Sequence, residues 1–207
     1  MPTRPKQTKR RPLFVHLGNV GERNPDETPA EKTKRYARRF PGIDFIGIDK
    51  KQLDLAQYPD QTLPNWKQEL TDFQNGLKHQ ADNSLHAISS DIAFGHNYNL
   101  GTRFTQYHQE LLRIAYKKLI PGGKLFAAVG DEIAQLNKYG APTNHIKALK
   151  KVFQRSPFKN HFTIRPLTAA EAQRTYWAQV WTTQYRPVYQ IIAEKPKQTN
   201  PEQQPRK

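Results

Sequence analysis

Short apolar runs alternate with amphipathic stretches along most of this chain. The run Leu13-Phe14-Val15-His16-Leu17 predicts a strand, and Gly18-Asn19-Val20-Gly21 turns the chain out of it. A helix is expected over residues 29–39, opened by Pro29 and stopped before Pro41. Phe45-Ile46-Gly47-Ile48 predicts a second strand, over 44–48, that ends in the carboxylate of Asp49. The pattern then predicts a helix over 51–57, a strand over 65–68, a helix over 72–79 and an apolar strand within 85–92.

Residues 103–119 place Tyr107, Leu111, Leu112, Ile114, Ala115 and Leu119 at helical spacing, and Pro121-Gly122-Gly123 stops that helix before a strand over 124–129. A basic helix over 143–153 and a strand over 161–166 follow. Thr168 and Glu171 have the spacing of a capping box, so a helix should open there and run toward Trp181. Its aromatic stripe, Tyr176, Trp177, Trp181 and Tyr185, has the spacing of residues that pack against a sheet. A strand over 187–194 closes the domain. Strands with helices interposed over the first five, and no internal repeat, predict an α/β fold with a doubly wound, mostly parallel, seven-stranded sheet.

Composition narrows the chemistry. With 207 residues and 36% hydrophobic content the chain can bury one sizeable core. Residues 1–12 are basic and proline-rich and residues 196–207 are rich in Lys, Gln and Pro, so both are expected to be disordered tails around a domain of residues 13–195. The absence of cysteine excludes disulfides, thiolate catalysis and cysteine-ligated metal sites. His86 and His96 lack further ligands at metal-site spacing, so no metal is expected. The basic start leads into an apolar run too short for a signal-peptide core or a membrane span, which makes a soluble, cytoplasmic protein the expectation.

The net charge of +15 calls for a polyanionic partner, with nucleic acid first. Lys138, Lys147, Lys150, Lys151, Arg155, Lys159 and Arg165 occur between residues 133 and 170 with no acid among them. Lys147, Lys150 and Lys151 share a helical face and are candidate phosphate contacts, while Lys32, Lys34, Arg35, Arg38 and Arg39 crowd the helix over 29–39.

Three segments together resemble the class I S-adenosylmethionine-dependent methyltransferases. They are the glycine turn with Gly47-Ile48-Asp49, the stretch from Asp82 to Asp91, and the helix from Tyr107 through Leu119-Ile120-Pro121-Gly122-Gly123-Lys124-Leu125. The resemblance runs from about Leu13 to Lys195 and implies a Rossmann-like sheet whose last strand is antiparallel. It implies S-adenosylmethionine as cofactor, with Leu17, Gly18 and Asn19 at the methionine moiety, Asp49 on the ribose hydroxyls, Lys50 beside the adenine, and Glu69 and Asp72 next to the base. It also makes RNA, either tRNA or rRNA, the expected substrate.

After the fourth strand come Ser90, Asp91, Phe94, His96 and Tyr98. Ser90, Asp91 and His96 are candidate catalytic residues, with Asp91 accepting a hydrogen bond from the methylated group, and Phe94 and Tyr98 are candidates to stack on a base. Two positions depart from the family's first motif. His16 stands where an acid is usual, and Val20 where a second glycine is usual. A non-catalytic RNA- or ribonucleoprotein-binding module on the same fold is therefore the alternative to an enzyme, and a methyltransferase acting on a small molecule or protein is a third reading. The full G-x-G-x-x-G spacing of dinucleotide oxidoreductases is absent.

Overall fold

The computed structural model describes residues 11–18, 29–49, 63–90, 94, 103–130, 145–172 and 188–197. Within them the strands are β1 (Leu13–Leu17), β2 (Asp44–Asp49), β3 (Trp66–Leu70), β4 (Leu85–Ser90), β5 (Leu119–Gly130), β6 (Phe162–Pro166) and β7 (Val188–Glu194). The helices are α1 (Pro29–Arg39), α2 (Phe73–His79), α3 (Phe104–Lys118), α4 (His145–Gln154) and the short α5 (Ala169–Ala172). The helix expected over 51–57 and the aromatic stripe from Tyr176 to Tyr185 lie outside the described residues.

All strands join one sheet in the order β3-β2-β1-β4-β5-β7-β6. The first five run parallel, and β7 is antiparallel to both β5 and β6. The sheet is doubly wound because strand alternation divides each side-chain set between two faces. Val15, Leu17, Ile46, Ile48, Ile88 and Leu125 join one core cluster with Leu77 of α2, Leu111 and Leu112 of α3, and Leu149 and Phe153 of α4. Phe14, His16, Phe45, Ala87 and Ser89 point the other way, toward α1.

Local chemistry sets the ends of these elements. Asp72 caps α2 by accepting from the Asn75 backbone N–H at 2.9 Å. Buried Asn65 donates to the carbonyls of Ala37, Phe40 and Ile43, which ties the end of α1 to the start of β3. The capping box at α5 forms in both directions: Glu171 N–H donates to Thr168 Oγ1 at 3.2 Å, and Thr168 N–H to Glu171 at 2.9 Å.

Pro121-Gly122-Gly123 behaves differently from the sequence expectation. The helix ends at Lys118, but the three residues belong to β5 rather than to a turn ahead of it. Leu85 pairs with Leu119 and Ala87 with Lys124, so β5 bulges where β4 runs straight. Gly122 adopts φ +81° and donates to the Lys195 carbonyl at 2.7 Å, and a Cβ on Gly123 would meet the Leu85 carbonyl at 3.0 Å.

A Cβ on Gly76 would lie 2.5 Å from Ile48 Cγ2, and Ile48 is fully buried. Overpacking of about 1–3 kcal/mol should outweigh the helix-propensity gain of about 1 kcal/mol in Gly76→Ala. A lower urea midpoint is the expected outcome, and an unchanged or higher midpoint would mean that Ile48 repacks.

Candidate functional site

From β1 the chain moves outward to β2 and β3, then returns to β4 beside β1 and proceeds to β5. The connections leaving β1 and β4 thus depart in opposite directions, which opens a crevice at their carboxyl ends. Gly18, the residue after β1, has φ +84°, where only glycine is comfortable, and its N–H donates to the Ile48 carbonyl at 3.0 Å. That bond ties the end of β1 to the end of β2, whose last residue is Asp49. The Asp49 carbonyl accepts from Thr71 N–H at 2.9 Å, which holds the neighbouring β3 end in register. The positive-φ Gly18 and Asp49 thus stand at adjoining strand ends. The Leu17 side chain is fully buried, so this residue offers the crevice backbone only.

The two acids after β2 part company. Asp72 stays at the carboxyl edge, engaged as the α2 cap and by the Asn75 side-chain amide at 2.6 Å. Burial, and then the Asp72 charge, push the Tyr107 phenol up to about 12. Tyr107 was legible in the sequence only as a core residue of α3. Glu69 turns away to the end of α2, where it accepts from Lys67 at 2.7 Å and from Gln80 at 3.1 Å, with His79 at 3.7 Å. Burial acts to raise its pKa, but the hydrogen bonds from Lys67 and Gln80 and the charges of Lys67 and His79 hold it below the usual value. Glu69 is therefore placed as a strand-to-helix tether.

At the end of β4, Ser90 is 2% exposed and pairs in register with Leu17 and Ala127. Phe94 is 1% exposed, with its ring 5.5 Å from His108 and 6.0 Å from Phe153. This corrects the expectation that Phe94 stacks on a base, since its ring is spent in the core. Asn19, Lys50, Asp91, His96 and Tyr98 lie outside the described residues.

His16, in the place usual for an acid, shares a 2.8 Å hydrogen bond with Ser89. Both line a cavity of about 400 Å³ between the sheet and α1, walled by Phe14, Phe45 and Phe126 and rimmed by Tyr36 and Phe40. Lys147, Lys150 and Lys151 are exposed on α4. Among the described residues no group of three or more His, Asp or Glu is placed to hold a metal ion, and no helix is long and apolar enough to cross a membrane.

This sheet order, with its single reversed strand, is that of the class I S-adenosylmethionine-dependent methyltransferase fold, and the chain adopts that fold. Particular solved structures share it at low sequence identity. Phosphoethanolamine N-methyltransferase 2 of Haemonchus contortus, in complex with phosphomonomethylethanolamine and S-adenosylhomocysteine, is 12% identical with a TM-score of 0.59 over 93% of this chain. The chain spans about half of that enzyme's length, 51%. A variant of the 16S rRNA (adenine(1408)-N(1))-methyltransferase from Catenulisporales acidiphilia is 13% identical, with a TM-score of 0.57, over 90% of this chain and 88% of its own. A SAM-dependent methyltransferase from Archaeoglobus fulgidus is 16% identical, with a TM-score of 0.56, over 89% and 86%. No family model matches the sequence, and no curated protein matches it.

Gly18→Ala should destabilise the fold by about 1–2 kcal/mol, the usual penalty for a side chain at a left-handed position, seen as a lowered urea midpoint. The Tyr107 phenolate should appear in an ultraviolet pH titration only near pH 12. Because folding raises this pKa, its contribution to stability is whole below the ordinary tyrosine value of about 10 and is lost as pH rises through the folded value.

Proposed function

We propose that this protein is an S-adenosylmethionine-dependent methyltransferase that acts on RNA. The observation that carries the cofactor half is the pairing, at adjoining strand ends, of the positive-φ Gly18 and the Asp49 carboxylate. Glycine leaves room for a ligand against backbone, and an acid at the next strand tip suits vicinal ribose hydroxyls. These residues fit the cofactor, and Haemonchus contortus phosphoethanolamine methyltransferase 2, which has this fold, was crystallised with S-adenosyl-L-methionine.

S-adenosylmethionine, when bound, supplies an electrophilic methyl group. The chain's part is positional, since an aligned acceptor in a site that excludes water meets most of the requirement. Gly18 and Asn19 hold the amino-acid end and Asp49 and Lys50 the nucleoside end, with Asp72 at the far rim. Asp91, next in sequence after buried Ser90, accepts a hydrogen bond from the amino or imino group that receives the methyl. His96 and Tyr98 border the acceptor.

RNA is favoured by the +15 charge and by the exposed cations of α4. Solved neighbours of this fold include both an rRNA and a small-molecule enzyme, so charge is the discriminating feature. One observation supports the rival reading of a non-catalytic RNA-binding module. The acid's place is held by His16, engaged with Ser89, so the carboxylate usual behind the glycine turn is replaced by an imidazole.

Calorimetric titration with S-adenosylhomocysteine should show saturable binding, weakened about 10- to 100-fold in Asp49→Ala, as expected for losing a charged hydrogen-bond partner. Absence of binding in the parent protein would favour the module. Radiolabelled methyl transfer into total tRNA or 16S rRNA, but not into phosphoethanolamine, completes the assignment; label in phosphoethanolamine alone would overturn the RNA half.

A further inference from the structure

The sequence carries two basic runs, and the structure disposes of them differently. On α1, Lys34 is 4% exposed with its ammonium 5.0 Å over the Trp66 ring, and the Arg39 guanidinium lies 5.6 Å over Phe40. The Lys34 charge is therefore drawn into packing, while Arg38 and Arg39 stay exposed at the end of the helix. On α4 the apolar positions Leu149, Val152 and Phe153 are buried, and Lys147, Lys150 and Lys151 are exposed, as are Arg155, which follows the helix with its N–H still bonded to the Lys151 carbonyl, and Lys159 beyond it. Lys147, Lys151 and Arg155 recur every four residues and make one stripe, about 12 Å long at 1.5 Å per residue.

The stripe has a direction. The chain enters α4 from the carboxyl end of β5 and leaves it for β6, which starts beside Ala193 at the amino edge of the sheet. There Phe158 packs edge-on to Tyr116 at 5.1 Å, and Pro157 lines a cavity of about 560 Å³ together with Lys78, Arg113, Lys117 and Lys195. Arg113 and Lys117 are spent there on ion pairs, Arg113 with Glu110 at 2.9 Å and Lys117 with Asp82 at 3.0 Å, and Lys118 joins Asp82 at 2.8 Å, so the α4 row stops short of this cavity. Between residues 133 and 170 the sequence carries seven cations and no carboxylate. Lys147, Lys151, Arg155 and Lys159, all exposed, thus follow the chain along α4 and on toward the amino edge of the sheet.

We propose that the RNA phosphodiester backbone lies along this row of α4 cations, so that RNA leaves the methyl-transfer crevice over α4 rather than over α1. The proposal rests on the reading of RNA as the substrate and adds which face carries it. Evenly spaced single charges on a rigid helix suit a repeating phosphate and carry no base preference. Sequence selectivity therefore belongs to the crevice.

The test is fluorescence anisotropy with a labelled 20-nucleotide RNA hairpin, across potassium chloride from about 50 to 200 mM, where phosphate contacts lose strength steeply. The α4 variant carries Lys147→Gln, Lys151→Gln and Arg155→Gln, all at exposed positions. The α1 variant carries Arg38→Gln and Arg39→Gln. Each lost phosphate contact should flatten the slope of log affinity against log salt by about 0.7–0.9, giving a loss of about two units in the α4 variant and under half a unit in the α1 variant. Unchanged melting temperature and S-adenosylhomocysteine affinity exclude misfolding as the cause. A parent protein that binds the hairpin with an α4 variant of equal slope would overturn the α4 placement and leave the RNA reading standing. Equal losses in both variants would also overturn it. A parent protein that ignores the hairpin but binds phosphatidylserine vesicles would overturn the RNA reading itself.

Discussion

The carboxyl edge of this molecule depends on β1 being hydrogen-bonded on both sides. Paired with β2 from Leu13 to Leu17 and with β4 from Phe14 to Leu17, it has no freedom to slip. A shift of one residue would send Val15 and Leu17 to the α1 face and bring His16 into the apolar cluster. With register held, the chain leaves the sheet at residue 18, where the backbone is left-handed and the Gly18 N–H is bonded to the Ile48 carbonyl of β2. The separation of glycine turn and carboxylate is thus a property of the sheet, and the crevice is built on a rigid element.

Charge is distributed by the same packing. Lys118, at the end of α3, donates to the carbonyls of Lys78 and Gln80 and to Asp82, at 3.2, 2.6 and 2.8 Å. It thereby satisfies carbonyls near the end of α2 and joins two helices and the entry to β4. Lys195 plays a similar part at the cavity that both lysines line, bound to Asn83 and the Leu119 carbonyl with its ammonium over the Tyr116 ring, and burial lowers its pKa. Formal charge therefore overstates the field that a polyanion meets around this cavity, whereas on α4 the cations are exposed.

Much of the architecture was legible because strands and helices impose their own periods. The bounds of β1 and α1 follow from an apolar run, a glycine and flanking prolines, and the Thr168–Glu171 box forms as its spacing implies. What escaped depends on distant partners. The Pro-Gly-Gly segment has the local chemistry of a turn, and only its bonds to Lys195 and its contact with Leu85 make it a bulge. Glu69 and Asp72 both follow the strand expected over 65–68, yet Glu69 lies inside β3 and reaches Gln80 while Asp72 caps the helix beyond it. Phe94 follows a strand end as a substrate contact would, but Phe153, far along the chain, claims its ring. Ser89 as the companion of His16 required the β1–β4 register.

The bulge at the foot of β5 leaves the two ends of the sheet with unequal room to change. Gly122 is bonded to the strand on one side, and Gly123 is pressed against the strand on the other, so an inserted residue or a new chain terminus there would separate β4, β5 and β7 together. The connections at the opposite edge carry no such three-strand junction among the described residues. Variation in length is tolerated where backbone is not locked into a ladder. A lineage built on this scaffold could lengthen, shorten or exchange its carboxyl-edge loops to accept new acceptors, while its amino edge is limited to substitutions of side chain.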